Sequence, residues 1–325
     1  MKVYSQLLLV FSILLTGTAC QQARQQKTLF LAHGLPVNHP VHKGMIDFQQ
    51  RVARKSGGTL EIKIFPDGQL GSERELLELL QIGSVAMTKV SAAAMANFAP
   101  EYQVLGVPYL FRDREHLFKV LEGEVGRRLL EKGSDYWLRG LCFYDAGSRS
   151  FYTKTKPVRT PEDLAGMKIR VMNHQMSVDM VNTLGGSATP MAYGELYTAL
   201  QQGVVDGAEN NLPSFVSSNH FEVCKYYTLD EHSSIPDVLV IGTKFWGGMI
   251  PREQQWLSEA AAESVAVQKK YWDESVAECM AVLRAADVEI IQPEKSLFSL
   301  KVQPVLDEFA KDPKMQQLVK TILAQ

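Results

Sequence analysis

Arg170 stands at the centre of the stretch Met167–Asn173, and its chemistry is the most specific that the chain offers. A guanidinium presents a planar fork of donors that meets a carboxylate with two parallel hydrogen bonds, which an ammonium cannot do. The stretch follows Thr160–Gly166, where Thr160 can cap, Pro161 suits a first helical position and Gly166 can end a turn. Lys168 and Arg170 alternate with Ile169 and Val171, the period of a half-buried strand. Taken alone, that alternation fits an edge strand with a solvated polar face better than a binding strand. Its place argues the other way, because open α/β sheets receive ligands at the carboxyl ends of their strands.

Other polar residues fall at comparable places. His33 ends an apolar run, Lys89 and Ser91 flank the end of another, Arg149 follows Leu141–Asp145, Asn210 follows Val204–Val205, and Glu73 opens a helix. Each has a plain structural explanation: a satisfied histidine, a snorkelling lysine, a turn asparagine, an acid at a helix N-terminus. Together they describe a polar cleft with two arginines, suited to an anionic carboxylate. A charge-assisted hydrogen bond of that kind is worth about 1.5–3 kcal/mol net. His33, Glu73 and Asn210 suit hydroxyl groups on the same ligand, and Tyr193 can pack on its carbon skeleton or serve the core alone.

Enzyme signatures are missing. There is no Gly-x-Ser-x-Gly elbow, P-loop or His-Glu-x-x-His, and Gly185-Gly186 is too little for a dinucleotide loop. Asp206 and Glu209 could be an acid and a base, but Asp206-Gly207 reads as a structural turn. His39 and His42 near a helix start lack a supporting carboxylate pattern and read as solvated side chains. No metal or cofactor is expected.

The elements that must hold these residues alternate. Leu29–His33 reads as a strand, and Asn38-His39-Pro40 opens a helix with Val41, Met45, Phe48 and Val52 on one stripe. Leu60–Ile64 is a second strand, Ser72–Glu75 a capping box before a leucine-rich helix, and Val85–Val90 a third strand. This β-α-β-α-β order calls for a parallel sheet with right-handed crossovers. Arg112–Lys132 reads as helical. The alternation restarts after about Gly147, with helices at Ser177–Leu184 and Glu195–Gln202, so a second domain of the same kind is expected. Pro251–Ala286 is one long helix on the order of 50 Å, with an apolar stripe broken at Gln268-Lys269. A short strand at Val288–Ile291 precedes a helical C-terminus.

The chain has 325 residues, 46% hydrophobic and 22% charged, enough for two modest cores. Its formal net charge of -2 offers no basic field for nucleic acid. Lys2 is the only charge among the first 19 residues, and Leu7–Leu15 is an apolar run too short to span a bilayer, which reads as an export signal. Gly17-Thr18-Ala19-Cys20 resembles the lipobox of bacterial lipoproteins, in which the cysteine is lipidated; Gly17 stands where that motif prefers leucine. Gln21–Lys27 is polar, as a tether would be. Cys142, Cys224 and Cys279 remain, an odd number without metal-ligand spacing and no disulfide framework.

From Gly68 onward the sequence resembles the solute receptors of tripartite ATP-independent periplasmic (TRAP) transporters. Five motifs carry the resemblance in family order: Phe65–Gly71 (FPDGQLG), Val107–Phe111 (VPYLF), Pro161–Val171 (PEDLAGMKIRV), Pro190–Tyr197 (PMAYGELY) and Gln202–Asn210 (QGVVDGAEN). The resemblance implies an α/β fold of two doubly wound domains, with a cleft between them and a long bracing helix. The corresponding division is a signal peptide at 1–19, a tether at 20–27, a first domain of 28–146 plus about 237–275, and a second of 147–236 plus about 276–325. It places the carboxylate-binding arginine on Arg170, the second arginine on Arg149, the cleft asparagine on Asn210 and the aromatic over the ligand on Tyr193. His33, Glu73 and Ser91 match further contact positions, and Asp237 another. Ser91 stands where sialic-acid binders carry an acid, and Lys89 is unusual for them. The extra polar groups favour a hydroxylated acid over a bare C4-dicarboxylate, with a hexuronate such as glucuronate or galacturonate first. The expected partners are the small and large membrane subunits of a permease, the membrane through a lipid at Cys20, and no second copy of the chain.

Overall fold

Residues 26–325 are described by a computed structural model. The export signal at 1–19 and Cys20 lie outside the described residues. The expected tether ends early, because Lys27 already belongs to the first strand and pairs with Glu253 at 3.3 Å.

The first sheet grows from the apolar runs. Strands β1 (Lys27–Ala32) and β2 (Leu60–Phe65) pair in parallel from Lys27↔Leu60 to Ala32↔Phe65, and β1 pairs in parallel with β3 (Met87–Ser91). Parallel neighbours need crossovers, here helices α1 (Pro40–Ser56) and α2 (Glu73–Ile82). His39 caps α1 by accepting from Val41 N, and Gly57 ends it in the left-handed region at φ 60°. Ser72 and Glu75 form the expected capping box on α2. A later strand, β10 (Asp237–Gly242), inserts antiparallel between β3 and β4 (Leu138–Tyr144), giving the order β2-β1-β3-β10-β4.

The second sheet has the order β11-β9-β5-β8-β6-β7. Its strands are β5 (Arg149–Thr153), β6 (Lys168–Val171), β7 (Ser187–Pro190), β8 (Gly207–Asn210), β9 (Tyr226–Ser233) and β11 (Glu289–Ile291). The Arg170 strand is β6. It runs parallel to β7 on one side and β8 on the other, so it is no edge strand. Ile169, Arg170 and Val171 are buried and only Lys168 is exposed, which overturns the solvated-face reading. The physical reason is a roof over the Arg170 side, built by Met191 and Tyr193.

The chain crosses between the sheets at 145–148 and again at 234–236. The helical run expected at Arg112–Lys132 is two helices, α3 (Arg114–Glu122) and α4 (Glu124–Lys132), which break at Gly123, where a Cβ would sit 2.8 Å from Lys119 O. In the second unit α5 (Gln175–Leu184), α6 (Leu196–Gln202) and α7 (Leu212–Ser217) follow their strands. Helix α8 (Pro251–Ala285) has 35 residues and braces both units. Leu257, Ala261 and Trp272 enter the first core, while Leu283 enters the second. Gln268 does not break the stripe. It is buried and clamps the first crossing, accepting from Asp145 N at 2.8 Å and donating to Asp145 O at 2.9 Å. The C-terminal helix α9 (Pro313–Leu323) returns to the first unit, where Ile322 joins the core around Leu117 and Leu121 and accepts from His116 Nε2 at 3.0 Å. The span 276–325 therefore does not lie wholly with the second unit, contrary to expectation.

Candidate functional site

The two sheets present their polar strand ends to each other across a cavity of about 630 Å³. Glu73, Lys89, Ser91 and Asp237 line it from the first unit; Arg149, Arg170, Tyr193 and Asn210 line it from the second. The units also touch, where Asn97 Nδ2 donates to Asn173 O at 2.6 Å.

Arg170 is 2% exposed. Its Nε and Nη2 both donate to Met191 O, at 3.0 and 2.7 Å, and its Nη1 is buried without a partner. The guanidinium carbon lies 5.8 Å from the Tyr193 ring centre, in cation–π range. Burial pushes its pKa down, and Arg149 adds repulsion, against the pull of Glu209. Among the described residues no carboxylate lies in ion-pair range of it, whereas Arg149 has one.

Every guanidinium nitrogen of Arg149 has a partner. Its Nε donates to Glu209 Oε2 at 2.5 Å, Nη2 to Glu209 Oε1 at 3.0 Å and Glu209 O at 2.8 Å, and Nη1 to Asn210 Oδ1 at 2.8 Å. Burial alone would raise the Glu209 pKa, but Arg149 and His232 hold it at about 2. Burial would likewise lower His232, but Asp230, 2.7 Å from its Nδ1, and Glu209 raise it to about 9. Two buried cations thus meet two buried anions, and Arg170 is left as one surplus positive charge. Asn210 Oδ1 also accepts from Asn211 N at 2.9 Å, so the amide NH₂ is the end it can offer a ligand.

The first-unit wall is built differently. Lys89 Nζ lies 3.2 Å from Asp237 Oδ1 and 3.5 Å from Glu73 Oε1, which also accepts from Ser91 N at 2.9 Å. Burial would lower the Lys89 pKa, but the two carboxylates outweigh it and the ammonium is held charged. Burial, then Glu73, push the Asp237 pKa up against the pull of Lys89. Ser91 Oγ caps the next turn, accepting from Ala93 N at 3.3 Å, which leaves its O–H to donate. Tyr193 serves both wall and core, with its hydroxyl 3.2 Å from Ser214 O and 2.7 Å from Ser218 Oγ.

This geometry meets its match outside the chain. Residues 31–312 match the bacterial extracellular solute-binding protein family 7. The chain belongs to that family. A solute-binding protein of Chromohalobacter salexigens is 35% identical over 88% of this chain and 86% of its own. A TRAP periplasmic solute-binding protein of Bradyrhizobium sp. BTAi1, solved in complex with α/β-D-galacturonate, is 40% identical with a TM-score of 0.90, over 92% of this chain and all of that one. One from Roseobacter denitrificans, with bound β-D-glucuronate, is 34% identical with a TM-score of 0.89, over 92% of this chain and 100% of that one.

The protein is a TRAP solute receptor and no enzyme: its family and its structural neighbours are solute-binding proteins. The residues of the enzymatic alternative have other duties in the receptor. Asp206 is exposed and its Oδ2 accepts from Lys168 N at 2.8 Å, stapling β8 to β6, and Glu209 is sealed under Arg149. Among the described residues no group of three or more acids, histidines or cysteines could hold a metal ion. No described helix is long and apolar enough to cross a membrane.

His33 departs from the expected set. It lies fully buried behind the wall, where its Nδ1 accepts from Leu35 N at 3.1 Å and its Nε2 faces His42 Nδ1 at 3.0 Å. Burial and the Lys89 charge hold its pKa at about 2. The solvated reading of His39 and His42 is corrected too, since both are buried. His39 Nε2 lies 3.2 Å from Ser214 Oγ on α7, a bond from the first unit to the second. Sequence reasoning missed Ser214 and His232. The spacing Asp230–His232, two residues apart on one strand face, was the one signal available for the latter.

Proposed function

We propose that this receptor captures a hexuronate, D-galacturonate or D-glucuronate, and delivers it to the small and large membrane subunits of a TRAP permease. The observation that carries the reading is Arg170 Nη1, a buried donor without a partner on a cavity wall. An unmet buried donor costs roughly 1–3 kcal/mol, which a ligand carboxylate recovers on binding. The hexuronates in the structural relatives support the choice of carbon skeleton. In this reading Arg170 grips the carboxylate, and Arg149 holds the Asn210 amide toward the ring. Tyr193 packs on the sugar face, and Glu73, Lys89, Ser91 and Asp237 take hydroxyls. His33 supports that wall from behind. The two units close on the ligand as lobes, with the crossings at 145–148 and 234–236 as hinges.

Thermal-shift screening tests this. At a concentration about 100-fold above Kd, galacturonate or glucuronate should raise Tm by roughly 4–5 °C. Succinate should leave it near the unliganded value. A larger shift with succinate would overturn the hexuronate reading.

We also propose that the receptor is exported, cleaved before Cys20 and lipid-anchored there, working as a periplasmic monomer. The apolar run Leu7–Leu15 and the small residues before Cys20 support this. Cys20→Ser should move the protein from the membrane to the soluble fraction; retention in the membrane would rule the anchor out.

A further inference from the structure

We infer that the first-lobe wall of Glu73, Lys89 and Asp237 is a charge filter. It admits acids with one carboxylate and turns away aldaric acids, in which the far end of the same carbon chain is a second carboxylate. The inference rests on the hexuronate reading for the carbon skeleton but not for the charge rule.

Counting charges along the cleft gives it a direction. At the second-lobe end the buried pairs Arg149–Glu209 and His232–Asp230 cancel, and Arg170 remains as the buried surplus, with Glu195 exposed at the rim. At the first-lobe end a single ammonium faces two carboxylates, at 3.2 and 3.5 Å, so that cluster carries one negative charge, and Asp67, Arg74 and Glu75, exposed along the same wall, add one more. Lys89 adds no net positive charge to this wall, since both carboxylates already hold it, and only a third N–H is left to donate to a ligand hydroxyl. Burial pushes the Asp237 pKa up, and the lysine 3.2 Å away opposes that push.

The hydrogen-bond inventory agrees with the charge count. Oxygens Oε1 of Glu73 and Oδ1 of Asp237 are taken by Ser91 N and Lys89. Oxygens Oε2 of Glu73 and Oδ2 of Asp237 make no hydrogen bond among the described residues, and both residues line the cleft. Ionised carboxylate oxygens only accept. They match hydroxyl groups, which donate to them in charge-assisted bonds. A second ligand carboxylate would bring only acceptors and a like charge, and juxtaposing like charges across a desolvated interface costs several kcal/mol. A hexuronate or an aldonate, with its carboxylate on Arg170 and hydroxyls at the other wall, satisfies both ends. An aldarate satisfies one.

Titration calorimetry on the mature receptor decides the matter. The ligands are galacturonate and glucuronate, the aldonates galactonate and gluconate, and the aldarates galactarate and glucarate. Aldonate and aldarate are both open chains, so that pair isolates the terminal carboxylate from ring closure. In the wild type the aldarate should bind at least about 100-fold more weakly than the matching monocarboxylate. In Glu73→Gln and in Asp237→Asn the ratio should shrink about tenfold or more, with a melting curve confirming that each variant is folded. The filter is refuted if aldarates bind the wild type within about threefold of the monocarboxylates, or if both folded variants keep the wild-type ratio. The two readings fail separately. Weak uronate binding beside an intact aldonate-over-aldarate preference would sink the hexuronate reading and keep the filter. Tight uronate binding beside equally tight aldarate binding would do the reverse.

Discussion

Arg149 and Arg170 face one cavity with the same chemistry and opposite circumstances. The first has every guanidinium nitrogen bonded to Glu209 or Asn210; the second gives two donors to one carbonyl and keeps Nη1 unmet. A ligand carboxylate therefore gains most from Arg170. Arg170→Lys keeps the charge but loses the fork, so calorimetry should show hexuronate affinity falling by about 100-fold or more. Binding within tenfold of the wild type would mean that some other group is the anchor. Arg170 was legible because residue type and strand-end position are local facts. Its burial was not, since Met191 and Tyr193 reach it from beyond β7 and no periodicity ties them to it. The same holds for His39. Its place at a helix start could be read, but its burial depends on α7, which arrives 175 residues later.

At the scale of elements, what could be read was what is decided within a few residues. The alternation β1-α1-β2-α2-β3, the Ser72 capping box and the glycine stops are such features. The insertion of β10 between β3 and β4, the return of α9 and the interior place of β6 are decided by packing across the whole chain, and none was legible. Gln268 shows the cost of judging a helix face by polarity alone. Its polar side chain is buried because the Asp145 backbone, turning out of β4, has nowhere else to bond. Gln268→Ala leaves a buried N–H and a buried C=O unmet at the first crossing, which should cost roughly 2–4 kcal/mol in chemical denaturation. An unchanged midpoint would mean that the crossing is held by Arg114, whose Nε donates to Asp145 Oδ2 at 2.6 Å.

Across the whole molecule, the buried histidines set opposing demands on pH. His33, His220 and His174 have pKa values of about 2, 3 and 4, chiefly through burial. Each is neutral in the folded state but protonates near 6.5 once unfolded, so acid favours the unfolded chain below that pH. Glu209, held at about 2, adds to the loss below its unfolded value of 4.5. His232 does the opposite. Its folded value of about 9 stands above the unfolded 6.5, so its contribution is complete below 6.5 and fades as pH rises through 9. The two demands cross near pH 6.5, where Tm should peak. Between pH 6.5 and 9 the loss of a few kcal/mol should lower Tm by on the order of 5 °C. His232→Gln should lower the peak and flatten only the alkaline limb, because no proton is left there to lose. Melting curves of both proteins across pH 4 to 10 give the comparison, and an alkaline limb that persists in His232→Gln would show that the Asp230–His232–Glu209 chain does not govern it.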